Sequence, residues 1–543
     1  MTVRQRRLLM TLVLAGTLGV SAIAASSASA IIKQLPNHQV VSYEPLRNAA
    51  AAAPAANPLD IASVNQEYNG GPVMPSNTDY MLMWSPNGLS DYPQGFTFGI
   101  ARYFSDLAHD SGGHQNVDSI GPQYNDLTGA RVNYDVRFGG VLVDTDPYPQ
   151  AQCPVGGTGV TGTVSDCLTD PQIQQEVESF VTRHHLPTDL SHEYFVFTPP
   201  HVESCFSGNK ATNFDGCSAG EPLDIAAYCA YHQNTATPTM VIYANMPFDA
   251  TNPLCQDGNN PNGLISDGEI NGGLAHEHFE SITDPLPNDA WTSGTGDNHG
   301  FEAADVCDGA MGDPLGTAPN GAKFNQVING HPYWYQEMWS NYTESCLQRL
   351  TVPRNLPIAR ETVTAGSGND ITFDASRSFA PGGVAEFSWQ FNAVPNAETV
   401  QQTTSTITYT FPAPGAYSTG LTVFGADGRS TGTGGIVTTG KNGFQPAFTA
   451  SQSRFSDRTV NFSALTTVSG LPVINYMWEF GDGTTGSGAT PTHTYRHPGH
   501  YTVTAVLFSG VGSAFPGAGA GPVYQQEIRV GHGHDGHDGH DHR

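Results

Sequence analysis

Apolar residues recur with two different periods along the first two-thirds of the chain. YMLMW (80–84), VNYDVRF (132–138), YFVFT (194–198) and MVIYA (240–244) are short apolar runs of strand character. FGIARYFSDLAHD (98–110) and DPQIQQEVESFVTRHH (170–185) space their apolar residues three and four apart, as helices do. Strands alternating with helices predict an α/β (or α+β) domain over about 66–350, with long Gly/Asn/Asp loops between its elements.

After about residue 353 the helical period stops, and short β-rich runs alternate with Gly/Pro turns. The segment also repeats. ITFDASRSFAPGGVAEFSWQFN and ITYTFPAPGAYSTGLTVF (within 371–424) match VNFSALTTVSGLPVINYMWEFGDGTT and PTHTYRHPGHYTVTAVLF (within 460–508). Each unit has a Trp-x-Phe strand, at Trp389 and Trp478, followed by a Pro-Gly-x-Tyr corner. The units, at 354–440 and 443–531, resemble PKD domains, which implies two all-β immunoglobulin-like sandwiches serving adhesion or substrate docking. The second carries nearly the whole signature, whereas the first lacks the Gly-Asp-Gly turn. Both Trp residues are expected in the cores, and a flexible chain is expected to join the sandwiches to the first domain.

Residues 1–30 combine Arg4, Arg6 and Arg7, an apolar run and Ala28-Ser29-Ala30, the pattern of a cleaved secretory signal. Residues 31–65 hold an Ala/Pro tract expected to be a linker or a removed pro-segment. The end, GHGHDGHDGHDHR, reads as a His/Asp-rich disordered tail over 532–543 that captures metal loosely or aids solubility. No later run is apolar and long enough for a membrane span. The net charge of −28, or −31 without the Arg residues of the signal, excludes nucleic acid as a partner. With only 13% charged residues, the protein is expected to tolerate acid. All eight Cys lie between 153 and 346, which in an exported chain predicts disulfides confined to the first domain. Pairing nearest neighbours gives Cys153–Cys167, Cys205–Cys217, Cys229–Cys255 and Cys307–Cys346.

The candidate chemistry sits in SDGEINGGLAHEHFESITDP (266–285). Ser266 and Glu269 form a potential capping box, and Asp284-Pro285 ends the helix. At about 100° per residue, His276 and Glu280 share one face, while His278 falls among Leu274, Ile270 and Ile282 on the other. His278 is therefore expected to pack in the core. His276 and Glu280 can reach one cation, and Glu277 stands where a general base would meet a metal-activated water. Downstream, GFEAADVCDG (300–309) places Glu302 and Asp305 three apart, as a third ligand and an orienting acid require. The N/O donor set suits Zn²⁺, with Ca²⁺ or Mn²⁺ as alternatives.

YNGGPVMPSNTDYMLMW (68–84), HEYFVFTPPHVESCFSG (192–208), AHEHFESITDP (275–285), FEAADVCDG (301–309) and INGHPYWYQEMWSNYTESC (328–346) are collinear with the Exordium, or phosphate-induced protein, family, which residues 66–348 resemble. The resemblance implies secretion and cell-wall association but supplies no reaction. Two readings follow. One is a secreted zinc-dependent hydrolase, a peptidase above all, with His276, Glu280, Glu302 and Asp305 on the metal and Glu277 as base. His299, His331, Tyr333 or Tyr335 would stabilise the transition state. The other is a non-catalytic cell-surface or matrix protein with a structural cation site. A glycoside hydrolase ranks last, because the helix spacing favours metal over sugar chemistry. The expected partner is an extracellular polymer, protein or cell-wall substrate, and a monomer is expected.

Overall fold

The computed structural model describes residues 32–34, 40–46 and 65–531, apart from short stretches of which the longest are 208–215, 219–225, 294–299, 351–356 and 510–522. The expected signal, the tail 532–543 and His299 lie outside the described residues.

Strand alternation organises the first domain. In Asn77–Trp84, Met81 and Met83 point into one core and Leu82 and Trp84 into another. Phe195 and Phe197 in His192–Phe197 part company with Tyr194 and Val196 in the same way. Both faces of the sheet must therefore be covered. The helix Phe96–His109 packs on the first face through Ile100 and Phe104. The helix Asp170–Arg183 packs on the second through Ile173, Val177 and Phe180. The sheet has ten strands and is mostly parallel around Asn77–Trp84, His192–Phe197 and Ile242–Met246.

The run 132–138 is not itself a strand. Pairing begins only at Val136 and continues to Asp144, because Val132 and Tyr134 fill the first core ahead of it. The central strand Ala226–Asn234 pairs antiparallel with Ile242–Met246. It also receives Val40–Pro45, which pairs with Ile32–Gln34. The described part of 31–65 is thus built into the main sheet. Four disulfides join each cysteine to its neighbour in sequence, Cys153–Cys167, Cys205–Cys217, Cys229–Cys255 and Cys307–Cys346.

Two sandwiches follow. Trp389 is fully buried with Phe373, Phe391 and Phe411, and Trp478 with Phe448, Phe462 and Phe480. The expected flexible attachment is not what forms for the first sandwich. The strand Gln66–Tyr68 lies against it, and Glu67 accepts hydrogen bonds from Ser388, Gln390 and Gln401. Asn125 adds a pair of hydrogen bonds to the backbone of Gly432, where Tyr68 packs so closely that a Cβ would meet its ring at 2.7 Å.

Burial pushes the Glu67 carboxyl up to about 7, against the opposing hydrogen bonds. Burial likewise pushes Glu361 and Glu269 up to about 8. A carboxyl with a raised folded-state pKa holds its stabilising contribution below its unfolded value and loses it as pH climbs through the folded one. For Glu67 that window runs from about 4.5 to about 7, and a shift of this size corresponds to roughly 3 kcal/mol. Thermal unfolding is expected at a higher temperature at pH 5 than at pH 8. Glu67→Gln should narrow that difference, and a melt that rises towards pH 8 in wild type would exclude this account.

Candidate metal centre

The helix that carries the site is interrupted. Ser266–Glu269 is α-helical, Ile270–Leu274 forms a π turn kinked at Gly273, whose φ of 170° is not helical, and Ala275–Thr283 resumes the α-helix. The π turn presses Gly273 onto the central strand, where a Cβ would meet that of Ala230 at 2.8 Å. Such turns concentrate at functional sites. The expected capping box does not form. Glu269 is drawn away to accept the backbone N–H of Asp249, while Asp267 accepts those of Asn262 and Leu264.

His276 and Glu280 face each other across one turn, with Nε2 at 3.2 Å from Oε1. Asp305 completes the cluster, its Oδ1 at 3.4 Å from the same nitrogen. The Glu302–Asp305 turn aims this carboxylate. Asp305 Oδ2 accepts the Glu302 N–H at 2.9 Å, and the Asp305 N–H donates to Glu280 Oε1 at 3.0 Å. The Cys307–Cys346 bridge fixes the turn from below.

Gln336, which the sequence reading passed over, sets the imidazole's tautomer. Its amide nitrogen donates to Ala304 O, so its oxygen is left to accept from His276 Nδ1 at 3.3 Å. Nε2 is therefore the nitrogen that faces the two carboxylates, and the one that would shed its proton to a cation. Burial opposes protonation of His276, but Glu280 and Asp305 outweigh it and hold the imidazole well above its usual range. Gln336→Ala should free the ring and weaken metal binding by about 10- to 100-fold, a typical cost of losing such a partner. Competition with a chromogenic chelator would measure it, and unchanged affinity would remove Gln336 from the site.

His232 was also passed over. Period-2 alternation in Ala226–Asn234 puts it on the helix-bearing face with Ala230. Its Nδ1 lies 3.0 Å from Glu277 Oε2 and 3.8 Å from Glu280 Oε2, and its Nε2 lies 3.6 Å from Glu302 Oε2. Nothing in a lone histidine inside AAYCAYHQN marks it. Glu277 also accepts the backbone N–H of Glu44 at 3.2 Å, and burial pushes its carboxyl up to about 8. Burial raises Glu302 strongly and takes Asp305 to about 7, with neighbouring Glu280 adding to both.

His232, Glu277, Glu280 and Glu302 are fully enclosed. His276 Nε2, Glu280 Oε2, both Glu302 carboxylate oxygens and Asp305 Oδ1 have no hydrogen-bond partner. Buried acceptors without hydrogen-bond partners at metal-ligand spacing fit a cation.

His278 lies on the opposite side of the helix, packed on Phe104 and Phe195. Its ring bonds Asn77 and faces Asp79 and Asp118. Burial works against the charge there, but Asp79 leads the acids that push the imidazole up to about 9. The proposed transition-state stabilisers lie elsewhere. His331 and Tyr333 both bond Asp106 on the helix Phe96–His109, and Tyr335 packs edge-on against Tyr103. The polar tips of His331 and Tyr333 follow the Asp106 carboxylate, which the sequence spacing gives no reason to expect.

Residues 445–514 match the PKD domain family. A stretch of 31 residues is 61% identical to Collagenase ColA of Bacillus cereus; it covers 6% of this chain and 3% of that protein. The chain therefore spans a small part of that relative's length. Among solved structures, the PKD1 domain from Vibrio cholerae metalloprotease PrtV is 26% identical and covers 16% of this chain and 93% of its own, with a TM-score of 0.13. The Clostridium thermocellum CbhA fibronectin(III)-like modules are 16% identical and cover 34% of this chain and 100% of their own, with a TM-score of 0.13. The chain is a multidomain, strand-rich, disulfide-bonded protein that contains a PKD domain. Disulfides suit an oxidising, extracellular setting. No helix among the described residues is long and apolar enough to cross a membrane.

Proposed function

We propose that the chain is the latent form of a secreted zinc-dependent hydrolase acting on peptide bonds, with its sandwiches serving adhesion or substrate docking. The observation that carries the reading is the enclosed cluster of His276, Glu280, Glu302 and Asp305, whose inward atoms lack hydrogen-bond partners. A divalent cation there would supply Lewis acidity, polarising a carbonyl and easing deprotonation of water. His276 and Glu280 would hold it from one helical turn, and Asp305 from the downstream turn. By accepting from Nδ1, Gln336 leaves Nε2 as the nitrogen of His276 that would give up its proton to ligate. Glu277, next in sequence to His276 and poised between carboxyl and carboxylate near neutral pH, is suited to receive a proton and return it to a leaving amine. The collinear resemblance to the Exordium family and the collagenase stretch are compatible with a secreted, matrix-directed protein.

Burial of the site supports latency. The strand Val40–Pro45 pairs Glu44 with Ala230 directly beside the π turn, and the Glu44 N–H occupies Glu277. We assign residues 31–65 as a pro-segment on this ground. The same burial is the specific observation that favours a second reading, a structural cation site in a matrix protein. Metal analysis and casein hydrolysis by wild type and Glu277→Gln separate the two. A chain with stoichiometric metal that never turns over substrate, before or after removal of the segment, is structural.

A further inference from the structure

Resting on that reading of the cluster as a metal centre, we propose that it takes two divalent cations rather than one. Glu280 would bridge them, and His232 would be the nitrogen ligand of the second. Two ligand triads close separately around the shared carboxylate. His276, Glu280 and Asp305 offer atoms within 4.8 Å of one another, and so do His232, Glu280 and Glu302. The two oxygens of Glu280 face different imidazoles. Oε1 is 3.2 Å from His276 Nε2, and Oε2 is 3.8 Å from His232 Nδ1. A carboxylate so placed spans two ions roughly 3.5–4 Å apart.

One ion in the first triad leaves Glu302 unexplained. Both of its oxygens are fully buried without a hydrogen-bond partner, as is Glu280 Oε2. The second triad uses both groups. His232 can offer a nitrogen too: with its Nε2–H donating to the Asp284 carbonyl at 3.2 Å, Nδ1 is left to ligate on the side of Glu280, 3.8 Å away, in exchange for its 3.0 Å contact with Glu277 Oε2. Charge points the same way. Glu277, Glu280, Glu302 and Asp305 surround two imidazoles, and the ion pairs of these acids are with His232 and His276, not with Lys or Arg. One dication leaves two negative charges buried when all four acids ionise, whereas two dications balance them.

The test counts ions on the full chain. Chelator-stripped protein is reloaded with Zn²⁺, desalted and measured by mass spectrometry, alongside the His232→Ala/His276→Ala double variant as the blank for the His-rich tail. Wild type should hold two ions more than this blank, His232→Ala one more, and Glu280→Gln none more. Glu302→Gln, which keeps the side chain's size, should match His232→Ala and serves if His232→Ala does not fold. A difference of one ion, unchanged by His232→Ala or Glu302→Gln, overturns the second site and leaves a single-metal centre standing. No difference at all overturns the metal centre itself.

Discussion

Glu277→Gln is expected to lower casein hydrolysis by the opened protein by at least about 100-fold, the usual lower bound for losing a general base. Bound metal should be unchanged. The substitution keeps size and leaves a carbonyl oxygen to accept the Glu44 N–H, so the helix Ala275–Thr283 has no reason to move. It removes the capacity to take a proton, together with the carboxylate charge beside His232. Glu277 works as a base when ionised, so the wild-type rate should climb with pH through the pKa of this carboxyl. Burial sets that pKa near 8 in the enclosed chain, and nearby cations would lower it. The variant should lose the ascending limb as well as the rate. Equal hydrolysis by both proteins over the pH range, with metal bound in each, would remove Glu277 from the chemistry.

What the sequence disclosed about this site follows from how far each residue's partners lie along the chain. His276 and Glu280 are one turn apart on one helix, so spacing alone brought them together. Glu302 and Asp305 were legible as a pair for the same reason. Their approach to His276 depends on the Cys307–Cys346 bridge and on how the 300s fold back, which spacing does not encode. His232, Gln336 and Glu44 each enter from a different strand or loop, 44, 60 and 232 residues away from His276 by their numbering. Each is a single polar residue in an otherwise structural run. The π turn and the failed capping box both follow from contacts distant in sequence. Gly273 lets the helix sit against Ala230, and Glu269 is more useful to the buried Asp249 backbone than to its own helix end. In the fold, the alternation at 80–84 and 194–198 had to be strand because both faces pack. At 132–138 an apolar run packs before pairing starts, and period alone could not place that boundary.

Docking ties the first sandwich to the first domain through buried contacts. Glu67 is engaged by Ser388, Gln390 and Gln401, and it belongs to the strand Gln66–Tyr68, which pairs with Trp291–Ser293 shortly before the Glu302 turn. The sandwich is therefore a wall of the first domain rather than a tethered passenger.

Cutting the chain between the strand Val40–Pro45 and the rest of the first domain is expected to raise hydrolysis by at least about tenfold. The strand closes the site as an added edge would: it pairs with Ala226–Asn234 at Glu44↔Ala230 and Tyr43↔Tyr231. While it is covalently attached, its high effective concentration keeps it in place. Once cut, a short paired segment must hold by its own contacts, and its loss would free Glu277 from the Glu44 N–H and uncover the His276 cluster. A site-specific protease sequence in place of residues 50–56 allows the cut in otherwise intact protein. Activity should appear with cleavage and rise further on gel filtration, which separates the released piece. Glu44→Ala, uncut, should remain nearly latent, because the blocking contact to Glu277 is made by the backbone and survives the substitution. Equal activity in cut and uncut protein, with the piece shown to have left, would make the strand a permanent part of the sheet and end the case for latency.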